Sequence, residues 1–374
     1  MSVDFQNLPH PGIRSLVPYK PGKSIDELKK EKGLNDIIKM ASNENPLGCS
    51  PLALTALQTI SSTTLATYPS PLNHPLMAKL SQSLNISAEQ LFLSNGSDYI
   101  FGLLIQCFAL HLGKHILIHD FAFSAYAIQA HALQVPVQMV SIHEHWEVDI
   151  EKIIKACTSQ TALIFIANPN NPTGLLISSE KIKQLLDNIP QNTLIVLDEA
   201  YYEYAAEQLE DNSIEWLAQY PNLVITRTFS KIYGMAGLRL GYAMAHPDVI
   251  NILKRVQLPF AVNQVALNAA CAALDDKKFI ENSLKINTNG MKQFKEEFKK
   301  LTIPYLASAG NFLTFNCKED GMKLYNYLLD RGIIIRPLHP YNMPHYLRVS
   351  IGTQEQNKRF FNELTQYENE KSRL

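Results

Sequence analysis

Four apolar runs along the chain share one grammar. Ile116-Leu117-Ile118 gives way to His119-Asp120-Phe121-Ala122-Phe123, and Leu163-Ile164-Phe165-Ile166 to Asn168-Pro169-Asn170-Asn171-Pro172-Thr173-Gly174. Leu194-Ile195-Val196-Leu197 gives way to Asp198-Glu199-Ala200-Tyr201, and Leu223-Val224-Ile225 to Thr226-Arg227-Thr228-Phe229-Ser230-Lys231. Unbroken apolar runs, as opposed to alternating ones, mark strands buried on both faces, and helical stretches such as 179–188 separate them. This predicts an α/β fold with a largely parallel sheet covered by helices. Each run ends in polar or aromatic residues at its C-terminal edge, the edge at which open α/β sheets bind ligands. A sheet with only a structural task has no need of them.

The flanks read differently. Residues 1–45 are rich in proline and glycine with one helical patch at 24–32, as expected of an arm lying over a body. A polar turn, Ser42-Asn43-Glu44-Asn45-Pro46-Leu47-Gly48, precedes a helix expected from Pro51 and the loop Thr67-Tyr68-Pro69-Ser70-Pro71. After the break at Leu258-Pro259-Phe260 comes a long helical region, 264–300, and then short alternating segments at 311–315, 332–336 and 346–351 that suit a smaller α+β domain. The expected division is an arm and small-domain segment over 1–45, a large domain over 46–260 and a small domain over 261–374.

Composition narrows the partners. The chain has 374 residues, 46% of them apolar, with 34 basic against 35 acidic side chains. So even a balance gives no electrostatic reason to expect nucleic acid or a charged membrane surface. The five cysteines are scattered and lack Cys-x-x-Cys spacing, which suggests neither a disulfide framework nor a zinc site and fits a reducing cytoplasm. Met1 to Arg14 carries no apolar core of the signal-peptide kind, and the nearest approach to a membrane span, 101–112, is short and broken by Gln106, so it reads as a buried helix. Among the histidines, His111 with His115 and His143 with His145 lack an accompanying carboxylate motif, and no metal is expected. Glycine-rich dinucleotide and Walker loops are absent.

Within this frame a few residues carry chemistry. Lys231 is set just after a buried strand and before a glycine-rich turn, where a lysine projects from the ligand-binding edge. Asp198 ends another strand; taken alone, an Asp so placed is more often a helix cap. Asn95-Gly96-Ser97-Asp98 opens a helix expected over 99–112, either as an ordinary cap or as an anion site at the positive end of the helix dipole.

The order Asn-Pro-Asn-Asn-Pro-Thr-Gly (168–174), Asp-Glu-Ala-Tyr (198–201), Ser-Lys (230–231), Gly-Leu-Arg-Leu-Gly (237–241) and Leu-Arg-Val-Ser-Ile-Gly (347–352) resembles the pyridoxal-phosphate aminotransferases of the aspartate aminotransferase fold, fold type I. Leu16-Val17-Pro18-Tyr19-Lys20-Pro21-Gly22 and the Asn43-Glu44-Asn45-Pro46 turn are similar to the histidinol-phosphate branch of that family, over about residues 8–353. The resemblance implies pyridoxal 5'-phosphate as cofactor, held by Lys231 as a Schiff base, with the freed amine moving a proton between substrate Cα and cofactor. Asp198 would keep the pyridine nitrogen protonated, Asn171 and Tyr201 would bond the 3′ oxygen, and Phe123 would stack on the ring where relatives more often have tyrosine. Ser97, Asp98, Ser230 and Arg239 would cup the phosphate. Tyr68 would reach the phosphate in the neighbouring subunit, making a homodimer with shared sites obligatory. Arg348, Arg336, Tyr19 and Asn43 would contact substrate.

The implied reaction is interconversion of L-histidinol phosphate and 2-oxoglutarate with 3-(imidazol-4-yl)-2-oxopropyl phosphate and L-glutamate, in histidine biosynthesis. Alternatives on the same fold are an aromatic amino-acid aminotransferase and a lyase resembling threonine-phosphate decarboxylase. A non-catalytic cofactor-binding regulator is disfavoured by the absence of a basic face or appended DNA-binding domain.

Overall fold

A computed structural model describes residues 5–18, 22–142 and 146–372. Its strands are Ile38–Lys39 (β1), Leu91–Ser94 (β2), His115–His119 (β3), Val137–Val140 (β4), Thr161–Ala167 (β5), Leu194–Asp198 (β6), Leu223–Thr228 (β7), Gly241–Ala245 (β8), Phe312–Asn316 (β9), Ile333–Ile334 (β10), Arg336–Pro337 (β11) and Tyr346–Ser350 (β12). The four apolar runs are β3, β5, β6 and β7, adjacent members of a seven-stranded sheet ordered β2-β8-β7-β6-β5-β3-β4. They run parallel to one another. Every residue of β5, β6 and β7 is buried. Successive side chains point to opposite faces, so Ile164, Ile166, Ile195 and Leu197 enter one hydrophobic core while Leu163, Phe165 and Val196 enter another. That two-sided demand is why these strands are apolar without interruption.

The remaining three strands did not stand out in the sequence. β8 is antiparallel to both of its neighbours, β7 and β2, so the sheet is mixed at that edge. It is written Gly-Tyr-Ala-Met-Ala, which carries little strand signature. At the opposite edge β4 is only partly buried. Two expectations are corrected. The helix expected to 112 ends at Phe108, leaving Leu110 and Leu112 exposed, so the apolar run overstated the buried length. The helical region 264–300 is two helices, Gln264–Ala273 and Lys277–Lys300, because Asp276 accepts from Phe279 N and starts the second.

Beyond the sheet, β9, β12 and β11 form an antiparallel trio, and β1 pairs in parallel with β10. Phe294, Phe298, Phe315 and Phe360 fill the core beneath them together with Met40 from the N-terminal segment. The chain before β2 therefore returns to pack with its C-terminal third. No described helix is long and apolar enough to cross a membrane, and no cluster of three or more metal-ligating side chains occurs among the described residues. His143 and His145 lie outside the described residues.

Candidate active site

The C-terminal edge of the parallel strands faces β11 and β12 across a cleft of about 350 Å³. Parallel strands deliver their following loops to a common edge, so residues far apart in sequence meet there. Ser97, Asp98, Phe123, Asn171, Asp198, Tyr201, Ser230, Lys231 and Arg239 line it from the sheet side, with Asn43, Arg336 and Arg348 opposite. Tyr68 does not: its exposed ring stacks on Phe260 at 4.3 Å between centroids. Tyr19 lies outside the described residues.

Asp198 is the last residue of β6 and is buried. Tyr126 Oη donates to its Oδ2 at 2.7 Å and Thr226 Oγ1 donates to its Oδ1 at 3.1 Å. Burial pushes this carboxyl up to about 6, against those two hydrogen bonds. Neither donor was singled out in the sequence. Thr226 leaves a signal, being the first polar residue after its apolar run as Asp198 is after its own, and the β6–β7 register sets the two side by side. Tyr126 lies in the first turn of the helix Ala125–Ala132, and its amide donates to the carbonyl of Phe123, which precedes that helix, at 3.3 Å. Its ring is fixed by stacking on Phe165 at 4.7 Å and by edge contact with Phe123 at 5.8 Å.

One residue further on, within β7 and just past the end of β6, Arg227 Nε donates to Glu199 Oε2 at 2.8 Å, and Ser213 Oγ donates to Glu199 Oε1 at 2.5 Å. The guanidinium lies 3.4 Å from the Tyr202 ring centroid. This buried pair fixes the backbone that carries Asp198 and Thr226.

Lys231 is half-buried, and its Nζ donates to the Ser42 carbonyl at 3.2 Å. Burial lowers its amine to about 8; the nearby Arg348 cation adds to the effect, while Asp98 and Glu44 oppose it. Tyr201, whose ring centroid lies 5.6 Å from that Nζ, accepts through its hydroxyl from Asn43 Nδ2 at 2.8 Å. Asn43 itself is held from every side in a left-handed conformation, φ +55°. Its N donates to Ser350 Oγ at 2.8 Å, its Oδ1 accepts from that hydroxyl at 3.0 Å and its carbonyl accepts from Asn311 Nδ2 at 3.0 Å. Arg348 donates through Nη1 to Asn171 Oδ1 and through Nη2 to the Ala41 carbonyl at 2.8 Å. Arg336 sits directly opposite Arg348 in the β11–β12 register. Like charges placed so repel, a cost that an anion between them relieves.

At the other end of the cleft the helix Ser97–Phe108 begins after Gly96, whose φ is +83°. A Cβ at Gly96 would stand 2.7 Å from Arg239 Nη2, and one at Gly241 would stand 2.6 Å from the Ser97 amide. Bare backbone at these two points lets a guanidinium and a helix start approach one small volume. Ser230 borders it, and Arg239 Nη2 lies 3.8 Å from Asp98 Oδ2. Amides at a helix N-terminus, a hydroxyl and an arginine form a donor set suited to a phosphate dianion.

Residues 35–364 match the family model for aminotransferase class I and II. The chain is 66% identical to histidinol-phosphate aminotransferase 2 of Legionella pneumophila, over 98% of this chain and all of that one. It is 41% identical to histidinol-phosphate aminotransferase 1 of Nitrosococcus oceani, over 96% of each. Among solved structures, the histidinol-phosphate aminotransferase of Clostridium acetobutylicum superposes with a TM-score of 0.82 at 28% identity, covering 89% of this chain and all of that one. The fold is also that of the Sinorhizobium meliloti enzyme in complex with pyridoxal-5'-phosphate, with a TM-score of 0.86 over 97% of this chain and 98% of that one at 24% identity. The chain belongs to the class I and II aminotransferases, and within them to the histidinol-phosphate aminotransferase family.

Proposed function

We propose that this enzyme transfers an amino group between L-histidinol phosphate and 2-oxoglutarate, giving 3-(imidazol-4-yl)-2-oxopropyl phosphate and L-glutamate, with pyridoxal 5'-phosphate as cofactor. The observation that carries the reading is the convergence of an amine lowered to about 8, a buried carboxylate and a backbone-lined anion cradle on one cleft. The donor set fits the cofactor: Ser97, Asp98, Ser230 and Arg239 for its phosphate, Asp198 for its ring nitrogen, Asn171 and Tyr201 for its phenolic oxygen, and Phe123 against its face. When bound, pyridoxal phosphate supplies an aldehyde for the amino group and an electron-withdrawing ring that eases loss of the Cα proton.

The chain's own groups do the rest. The Lys231 amine, neutral in a large fraction near pH 8, is a competent nucleophile and can accept and return a proton at Nζ. Asp198, fixed by Tyr126 and Thr226, presents negative charge at a constant place in a water-poor site. The Arg348 fork, oriented by Asn171 and the Ala41 carbonyl and faced by Arg336, clamps the substrate's phosphate or α-carboxylate.

The active assembly is a homodimer in the cytoplasm. Tyr68, Phe260, Leu65, Leu72 and Leu258 expose apolar surface that a second copy would cover, and the five cysteines are all unpaired, as in a reducing compartment. The test is a pair of half-reactions followed through the absorbance of the bound cofactor. Histidinol phosphate and glutamate each convert the enzyme, phenylalanine does so more slowly, and Lys231→Ala abolishes conversion and covalent cofactor attachment. Release of carbon dioxide, or no response to histidinol phosphate, sinks the reading.

A further inference from the structure

One ion pair in the cleft has no task in the reaction above. Lys39, the end of β1, donates through Nζ to Glu44 Oε1 at 2.7 Å, and both side chains line the cleft. Their backbones are fixed, Lys39 by pairing beside Ile334 and Glu44 by the clamped Asn43 before it. Their heads are not, for the side chains remain 23% and 44% exposed. Asp198 is taken up by Tyr126 and Thr226, and Asp98 stands beside Arg239, so Glu44 is the cleft carboxylate left to meet a substrate. It is also close enough to Lys231 for its charge to raise that amine's pKa.

The proposed reaction sets a recognition problem. Histidinol phosphate and glutamate present alike at one end, a phosphate or a carboxylate for Arg348 and Arg336. At the other they differ: one ends in an imidazole with an N–H to donate, the other in a second carboxylate. A fixed carboxylate repels glutamate, and a fixed ammonium cannot accept from the imidazole. A half-exposed pair of opposite charges can serve both, since opening such a pair costs little.

We propose that Lys39 and Glu44 form a two-faced specificity element, resting on the reaction proposed above. Glu44 accepts the imidazole N–H of histidinol phosphate, and in the other half-reaction Lys39 meets the distal carboxylate of glutamate or 2-oxoglutarate. Each head is held by its partner when the substrate in the cleft does not use it.

The test uses the holoenzyme in separate single-turnover half-reactions with L-glutamate, L-histidinol phosphate and L-norvaline, which carries a methyl group in place of glutamate's distal carboxylate. Lys39→Met should lower apparent second-order rates for glutamate about 10-fold more than for histidinol phosphate, and Glu44→Gln should do the reverse, as loss of a hydrogen bond to a charged group implies. Lys39→Arg should retain the wild-type ratio. Norvaline should lose no more than histidinol phosphate does in Lys39→Met, which separates recognition of the carboxylate from general damage. Lys39→Gln replaces the Met variant if that one does not fold. Equal losses for all substrates, or no change in their ratio, overturn the inference while leaving the reaction standing. A wild-type enzyme inert to histidinol phosphate overturns the reaction itself.

Discussion

Asp198 illustrates how a single residue trades stability for chemistry. Its carboxyl has an ordinary value of 3.8 and is raised by burial to about 6, so between those two values the folded protein binds more protons than the unfolded chain. Its contribution to stability therefore falls as pH rises through that window, and above about 6 the cofactor-free fold carries a cost of about 3 kcal/mol. Asp198→Asn should remove this: its advantage over wild type in urea unfolding should be near zero below pH 4 and grow to about 3 kcal/mol by pH 7. Transamination should fall about 100-fold or more, since a neutral amide cannot oppose a protonated pyridine. Tyr126→Phe keeps the ring that packs on Phe165 but removes one donor from the carboxylate, and should cost about 10-fold in turnover with little change in substrate KM. The lowered amine of Lys231 predicts that the rate at which cofactor-free enzyme captures pyridoxal phosphate rises with pH and levels off above about 8, measured by stopped-flow absorbance.

At the scale of elements, what could be read from the sequence followed from how completely each strand is buried. β5, β6 and β7 face apolar cores on both sides, so every position is constrained and the run declares itself. β4 has open positions at an edge and β8 uses glycine and alanine, so neither announces a strand. The same contrast holds in the site. Lys231 and Asp198 follow or end buried runs and were legible, whereas Tyr126 is one aromatic residue on an apolar helix, and its partner lies 72 positions away. Only register and helix placement bring them together. Gly241 belongs to this scale too, because its lack of a side chain lets β8 pass the start of the helix Ser97–Phe108. An added Cβ would meet backbone at 2.6 Å and 2.9 Å, and backbone cannot rotate away. Gly241→Ala should therefore displace the helix start and weaken pyridoxal phosphate binding about 10-fold to 100-fold, read by cofactor titration, although no cleft-lining side chain is altered.

For the whole molecule, the decisive question is whether one chain completes its own site. Tyr68 lies outside the cleft formed by its own chain, 80% exposed and stacked on Phe260 among other exposed apolar side chains. A ring so placed gains by being covered, and in the proposed symmetric dimer it would enter the partner's cofactor site. This arrangement makes a prediction that no monomeric site can satisfy. Lys231→Ala dimers lack the amine in both sites, and Tyr68→Ala dimers lack the ring in both. In a mixed dimer, however, one site takes Lys231 from the Tyr68→Ala chain and Tyr68 from the Lys231→Ala chain, and is whole. Unfolding and refolding the two variants together in equal amounts pairs chains at random, so about half the dimers are mixed and about a quarter of all sites are whole. Activity should rise from the low level of the separate variants to about a quarter of wild type. A mixture no more active than the average of its components, in a protein shown by sedimentation to have exchanged subunits, would place Tyr68 outside the site and leave each chain catalytically self-sufficient.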